Sequence, residues 1–142
     1  MTSDDPDLLA TRLAATLRHL VLLVRRAVAG QPITSQQYSV LGSLENGPRR
    51  MTELAEEHAV QLPTMTVQIN RLEDPGLVAR GIDPADARVR TVELTEEGRA
   101  RLRAVRRARA EFIARELAQL TPEERAALTA ALPALDKLGR RQ

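Results

Sequence analysis

The sequence predicts a mainly α-helical protein with one small β-hairpin. Leucine and valine recur at helical spacing near both ends of the 142-residue chain. Between those stretches, from Leu77 to Gly98, short alternating segments surround a charged turn and lead directly into a helix start. Such a short hairpin cannot bury a core alone, so it must pack against helices.

Composition limits the possible functions. A chain of this length suits one domain with its own core. It contains no cysteine, which excludes a disulfide framework, a thiolate metal site and a thiol redox switch. The net charge of +2 does not by itself indicate a nucleic-acid ligand, but residues 80–109 hold nine arginines against five acids. The arginine guanidinium can form paired hydrogen bonds with phosphates and with guanine edges, which favours a nucleic-acid ligand. Codon bias in an arginine-rich genome is the alternative explanation for the high arginine content.

No segment suggests insertion into a membrane. The longest apolar run, Leu20 to Val24, is too short to cross a bilayer. The acidic start of the chain, with Asp4, Asp5 and Asp7, differs from the basic start of a signal peptide. We therefore expect a cytoplasmic protein with no membrane partner.

Two helices are predicted in the first third of the chain. The first spans about Leu8 to Val28 and ends before Gly30 and Pro32. The second begins with a capping box, in which Thr34 and Gln37 each satisfy an amide of the first turn. The expected apolar positions of the two helices are Leu9, Leu13, Leu17, Leu20, Val24 and Val28, then Tyr38, Leu41 and Leu44.

A helix pair follows in the middle of the chain. The spacing predicts a short helix over about Thr52–His58, with Thr52 as its cap, and a longer one from Pro63 that ends before Pro75-Gly76. The connection Ala59–Leu62 has the length found in a helix-turn-helix, whose second helix lies in the DNA major groove.

The second helix of this pair has two unlike faces. Met65, Ile69 and Leu72 share the side expected to pack inward. Small and polar residues on the other side could contact base edges and phosphates, although a solvated amphipathic helix has the same pattern. The candidate DNA contacts are Pro63, Thr64, Thr66, Val67, Gln68, Asn70 and Arg71.

The hairpin supplies a second candidate contact. Asp83-Pro84 begins its turn, and Arg88 and Arg90 lie at a tip that would suit a minor groove. Asp86 is close enough in sequence to orient Arg88, although a surface ion pair of little energy would have the same spacing. A helix pair followed by an arginine-tipped hairpin is the arrangement of a winged helix on DNA.

Two more helices complete the chain. Thr95 caps a helix that extends to about Leu120. Thr121-Pro122-Glu123-Glu124 then combines a cap, a first-turn proline and a capping glutamate. The last helix carries Leu128, Leu132, Leu135 and Leu138, and Pro133 should kink or shorten it.

Several motifs together resemble the multiple-antibiotic-resistance regulator (MarR) family over nearly the whole chain. They are Arg71-Leu72-Glu73, Gly76-Leu77-Val78-x-Arg80, Asp83-Pro84-x-Asp86-x-Arg88 and Val92-x-Leu94-Thr95-x-x-Gly98. The resemblance implies a homodimeric winged-helix transcription factor, usually a repressor and often released by small aromatic or phenolic ligands. It also implies that Pro63 to Asp74 is the recognition helix and that Arg88 is the wing arginine.

Four positions depart from the family pattern. Ala87, Leu62 and Val67 stand where arginine is frequent, and Pro75 replaces a common basic residue. These departures bear on target sequence and affinity. Ala87, Leu62 and Val67 also motivate an alternative function, a helical protein-interaction module on a winged-helix scaffold that does not bind DNA.

The expected organisation is a single domain over residues 1–142, a winged helix-turn-helix with N- and C-terminal dimerisation helices. The DNA-binding lobe covers about 34–98, and the dimerisation helices cover about 7–30 and 99–142. Their leucine stripes exceed what one lobe could cover, although a monomeric bundle closing on itself is the alternative. A twofold dimer would bind a near-palindromic site on double-stranded DNA. The expected interface residues are Leu9, Leu13, Leu17, Phe112, Leu117, Leu128, Leu132 and Leu135.

Other chemistry finds little support in the sequence. Neither His19 nor His58 has neighbouring metal ligands, and we find no nucleophile–base set, so we expect no metal, no cofactor and no enzyme activity. The resemblance implies an effector cleft between the dimerisation helices and the lobe. Arg18, His19 and Tyr38 are its candidate residues for a small organic effector, and ordinary burial of Tyr38 in the core is the alternative.

Overall fold

The computed structural model describes residues 5–140, so Asp4 lies outside the described part. Helices dominate this range, and three short strands form one antiparallel sheet. The elements are α1 (Pro6–Ala27), α2 (Ser35–Ser43), β1 (Arg49–Arg50), α3 (Met51–Glu57), α4 (Leu62–Glu73), β2 (Val78–Ile82), β3 (Arg90–Leu94), α5 (Glu96–Leu117) and α6 (Pro122–Gly139).

The chain divides into two compact units, Met1–Arg109 and Ala110–Gln142, and the boundary falls within α5. The first unit contains the hydrophobic core, built from α2, α3, α4, the sheet and the beginning of α5. Met65, Ile69 and Leu72 are fully buried there, which confirms the predicted inward face of α4. Other fully buried core side chains are Val40, Leu41, Leu44, Leu54, Leu77, Val92 and Val105.

The capping box of α2 forms as predicted. The Gln37 amide donates to Thr34 Oγ1 over 3.1 Å, and Gln37 Oε1 accepts from the Thr34 amide at 2.9 Å. Two orphan donors of the first turn are thereby satisfied, so the helix starts at a defined residue. Tyr38 is buried one turn later, as its spacing indicated.

The predicted cap of α3 is wrong. The helix begins at Met51, so Thr52 lies inside its first turn, and Arg50 occupies the capping position. Glu53 Oε2 accepts from the Arg50 amide at 3.3 Å, which replaces the expected hydroxyl cap. Arg49 and Arg50 are already held as strand β1, and this pairing fixes where α3 can start.

The hairpin lies in a three-stranded sheet rather than standing alone. The strand order is β1-β3-β2, which places β3 at the centre. Val78 pairs with Leu94 and Ile82 with Arg90, so β2 and β3 are in register along their whole length. Thr91 and Val92 are both buried, which breaks the simple alternation expected for β3.

The start of α5 is packed against the connection between α4 and β2. Thr95 Oγ1 donates to the Gly76 carbonyl at 2.6 Å and accepts from the Gly98 amide at 3.0 Å. Thr95 is therefore the cap that the sequence predicts, and it also joins two segments. A Cβ at Gly98 would overlap the Leu77 carbonyl oxygen, so only glycine fits there.

The second unit holds the end of α5 and all of α6. The α5 helix ends at Leu117, three residues before the predicted end at Leu120. Thr121 caps α6, with Oγ1 accepting from the Glu124 amide at 3.2 Å. Pro133 does not shorten the last helix, because α6 continues to Gly139.

Replacement of Gly98 by alanine should destabilise the protein by about 2 kcal/mol, because the added methyl group meets the Leu77 backbone. Gly42→Ala, in α2 where a Cβ meets open space, should change stability by less than about 1 kcal/mol. Urea unfolding followed by circular dichroism measures both variants. Equal stabilities for the two variants would contradict the close approach at Gly98.

Candidate nucleic-acid interface

A tight turn after α3 directs α4 to the surface. Ala59 has a positive φ of 52°, and the Val60 amide donates to the Ala55 carbonyl at 3.0 Å. This is the geometry of a helix C-terminus closed by a left-handed residue. Val60 packs against the core, so the turn is fixed on one side by apolar contact. The two helices therefore form a helix-turn-helix, with a connection over residues 58–61 and Leu62, not Pro63, as the first residue of α4.

The side of α4 opposite the core faces solvent. We call Pro63, Thr64, Val67, Asn70 and Arg71 the outward face, and each of them is exposed. Val67 lies near the middle of this face with 45% of its surface exposed. A single exposed valine is ordinary on a protein surface, but at this position it gives the outward face an apolar group that a ligand can contact.

Three polar side chains of α4 already have intramolecular partners. Gln68 is half-buried, and its Nε2 donates to Gln36 Oε1 at 3.1 Å. Thr66 Oγ1 donates to the carbonyl of Leu62 at 2.9 Å. Asn70 Oδ1 accepts a hydrogen bond from the guanidinium of Arg80. Of the seven residues predicted to contact DNA from this helix, Thr66 and Gln68 are thus the least accessible.

The hairpin β2–β3 with its connecting residues 83–89 forms a wing beside α4. Asp83 holds its base, because Oδ1 accepts from the Ala85 amide at 2.7 Å and Oδ2 accepts from Arg50 Nε at 2.8 Å. The Asp83 amide donates to the Val89 carbonyl at 2.9 Å and closes the loop. The turn predicted at Asp83 is confirmed, while the partner Arg50, 33 residues away, carried no sequence signal.

These hydrogen bonds keep the Asp83 carboxylate charged. The Ala85 amide, and after it the Arg50 guanidinium, hold the pKa of Asp83 below its usual value. A lowered folded-state pKa stabilises the fold at pH values above the ordinary aspartate pKa. That contribution is lost only as the pH falls through the lowered value, so the wing base is intact at neutral pH.

The wing tip presents exposed cationic groups. The Arg88 side chain is 92% exposed, and its Nε lies 3.4 Å from Asp86 Oδ1. The expected pair with Asp86 is therefore present but open to solvent, and it contributes little to stability. Arg90 is exposed on β3 opposite Ile82. A projecting guanidinium of this kind can enter a groove of negative potential.

Each of the eight residues predicted to form the dimer interface is at least partly exposed in the single chain. In the first unit, Leu9 and Leu17 of α1 are 61% and 47% exposed, and Leu13 is half-buried. In the second unit, Leu128 and Leu132 of α6 are 44% and 55% exposed. Phe112, Leu117 and Leu135 are half-buried there.

The candidate effector residues are not brought together. Arg18 and His19 are exposed on α1, whereas Tyr38 is buried and its hydroxyl accepts from Arg109 Nη2 at 2.6 Å. The Arg109 guanidinium also lies 4.3 Å from the centre of the Tyr38 ring. This contact fixes Tyr38 within the first unit, where its ring packs in the core.

Two cavities of about 600 Å³ each lie in the first unit, and neither is lined by Arg18, His19 or Tyr38. One lies between the end of α1 and helix α4, with Arg25, Gln68 and Arg71 in its wall. Gln68 Oε1 is buried beside it and has no hydrogen-bond partner in the described part of the chain. The other cavity is more apolar and lies between α1 and α2.

Comparison with known proteins identifies the class of this fold. The MarR family model matches residues 33–89. The uncharacterized HTH-type transcriptional regulator Mb0904 of Mycobacterium bovis is 36% identical over 124 residues, 87% of each chain. The HTH-type transcriptional repressor MdtR of Bacillus subtilis is 37% identical over 95 residues, 66% of this chain and 61% of that one. Wild-type MarR from E. coli superimposes with a TM-score of 0.78 at 26% identity, covering 88% of this chain and 94% of that one.

The fold and these similarities define a transcriptional regulator with a winged helix-turn-helix for DNA binding rather than an enzyme. The chain belongs to the MarR family, as its motifs indicated. None of the helices between residues 5 and 140 is both long and apolar enough to cross a membrane.

A series at Asp83 tests how the wing is held. Asp83→Ala removes both the turn acceptor and the partner of Arg50, so backbone amides 84–89 should exchange hydrogen faster than in the native protein. Asp83→Asn keeps an oxygen for the Ala85 amide and should have a smaller effect. Hydrogen exchange read by mass spectrometry measures the series. Unchanged exchange in Asp83→Ala would contradict the role of Asp83 at the wing base.

Proposed function

We propose that the protein is a homodimeric repressor that binds a near-palindromic operator on double-stranded DNA in the cytoplasm and is released by a small organic effector. One observation carries the DNA-binding part of the proposal. The outward face of α4 and Arg88 of the wing are both exposed. A winged helix contacts neighbouring DNA grooves with these two parts, the second helix of its helix pair and its wing. Repression is supported by the similarity to MdtR, which is named a repressor.

The position of each candidate residue on α4 or the wing suggests its role in the proposed complex with DNA. Pro63, Thr64 and Val67 lie in the first two turns of α4, where a recognition helix contacts base edges. Arg71 is exposed in the last turn and contacts a phosphate. In the wing, Arg88 enters the minor groove and Arg90 contacts the neighbouring backbone. Thr66, Gln68 and Asn70 support the helix surface through their intramolecular hydrogen bonds.

The dimer is supported by the apolar faces of the terminal helices. Burying the leucines of α1 and α6 against a second copy removes apolar surface from water. Each Å² of apolar surface buried in this way stabilises the dimer by about 25 cal/mol. A twofold axis places the two recognition helices about one turn of DNA apart, which is the geometric reason for a near-palindromic operator.

The effector is assigned to the cavity beside the recognition helix. Arg25 and Arg71 could bind an anionic group, and the buried Gln68 Oε1 could accept a hydrogen bond from a hydroxyl or amino group. A ligand held there would compete with the phosphate contact of Arg71 and shift the equilibrium towards free protein.

A second function is favoured by a different observation. Leu62, Val67 and Ile82 are 43%, 45% and 53% exposed, and an apolar surface of this kind also suits a protein partner. In that function the winged-helix scaffold would not bind DNA, and binding to the partner would depend only weakly on salt.

DNA binding should fall steeply with salt, because each dimer neutralises about six to ten phosphates. Affinity for the region upstream of its own operon should fall about 10³- to 10⁵-fold between about 50 and 200 mM salt. Fluorescence anisotropy at a series of salt concentrations measures this slope. No specific binding, or binding insensitive to salt, would contradict the DNA-binding proposal and favour the protein partner.

Arg88→Ala should weaken DNA binding broadly across sequences. It should also lower the salt slope by about one for each wing, or about two for a dimer. Arg12→Ala, an exposed arginine on α1, serves as the control and should bind as the native protein does. An unchanged slope in Arg88→Ala would remove the wing from the interface.

The homodimer is tested on the leucine face of α6. Leu132→Glu places a charge on the proposed interface, so sedimentation equilibrium at micromolar concentration should give the mass of one chain. Ala130→Glu adds the same charge to the opposite side of the helix and should leave the dimer intact. A native protein that sediments as a monomer would contradict the proposal directly.

A further inference from the structure

The intramolecular hydrogen bonds on α4 limit which bases it can recognise. Specific contact with adenine uses the amide of Asn or Gln, and contact with guanine uses Arg or Lys. On α4, Gln68 donates to Gln36, and Asn70 accepts from Arg80. Arg80 is held further by Glu73, with Nε and Oε1 separated by 3.5 Å. Gln68 is half-buried and already donates to Gln36, and Asn70 Oδ1 has one of its two lone pairs occupied by Arg80, so both amides are less available for bidentate base contacts than free side chains.

The groups that remain free at the start of α4 carry methyl and methylene surface. Pro63, Thr64 and Val67 are exposed, and Val67 lies opposite the buried face formed by Met65 and Ile69. The one arginine on the outward face, Arg71, lies in the last turn. The first two turns therefore present apolar groups where a recognition helix meets base edges.

The major groove offers one apolar partner for such a surface, the C5 methyl group of thymine. We propose that α4 recognises its operator through thymine methyl groups, with Val67 as the central contact and Pro63 and Thr64 beside it. The half-site then carries A·T pairs under the first two turns of the helix. This inference rests on the proposed DNA-binding function and specifies how the sequence is recognised.

Replacing thymidine by deoxyuridine in the operator tests the proposal, because uracil differs from thymine only in lacking the C5 methyl group. The operator is first located by footprinting on the region upstream of the operon, and each thymine of one half-site is then replaced singly. One or two positions should lose about fourfold in affinity, the effect of one buried methyl group. Replacement in both half-sites should multiply the loss to about fifteenfold.

Two variants connect the effect to the side chain. Val67→Ala should bind the thymine operator more weakly and discriminate less between thymine and uracil at one position. Val21→Ala, the same truncation at an exposed valine of α1 away from the proposed DNA contacts, is the matched control and should keep the full discrimination. Circular dichroism checks that each variant keeps its fold, which we expect because both valines are exposed.

The outcomes separate this proposal from the function on which it rests. Specific, salt-dependent binding that is unaffected by uracil at every position would overturn thymine recognition while leaving DNA binding in place. Discrimination that survives Val67→Ala in full would overturn the role of Val67. Absence of specific DNA binding by the native protein would overturn both proposals together.

Discussion

The first turn of α5 joins the parts of the DNA-binding lobe into one rigid arrangement. Thr95 bonds the Gly76 carbonyl at 2.6 Å, and its amide donates to the Leu77 carbonyl at 3.2 Å. Gly98 lets the helix backbone approach Leu77 without a side chain between them. The end of the recognition helix, the start of the wing and the start of α5 thus meet at one point.

In the proposed complex with DNA, different groups would supply affinity and sequence specificity. The exposed arginines of the wing and of the end of α4 would face the negatively charged DNA backbone and grooves, so they would supply binding that varies with salt. The first two turns of α4 carry little charge, and their polar amides are engaged within the protein. Specificity in this account comes from shape and methyl contacts. The same apolar exposure explains why a protein partner is the natural alternative ligand.

Local signals in the sequence predicted much of this fold. The capping residues Thr34, Thr95 and Thr121 each begin a helix as expected, because a hydroxyl cap acts within three residues of itself. The cap at Thr52 failed because pairing of β1 with β3, some forty residues away, determines where α3 starts. The pairs Arg50–Asp83 and Asn70–Arg80 were invisible for the same reason, since only the folded chain brings them together. Which outward residues are free to contact DNA therefore required the structure.

The most direct test of the central claim is affinity cleavage of the bound operator. The chain has no cysteine, so a single introduced thiol can be labelled with an iron chelate. The variant Thr64→Cys carries the chelate on α4, and the variant Ala87→Cys carries it at the wing tip. A twofold dimer with α4 in successive major grooves should give two cleavage centres from position 64, about one turn of DNA apart, with those from position 87 flanking them on the outside. A single centre from position 64, or wing cleavage between the two helix positions, would contradict a twofold dimer with α4 in successive major grooves.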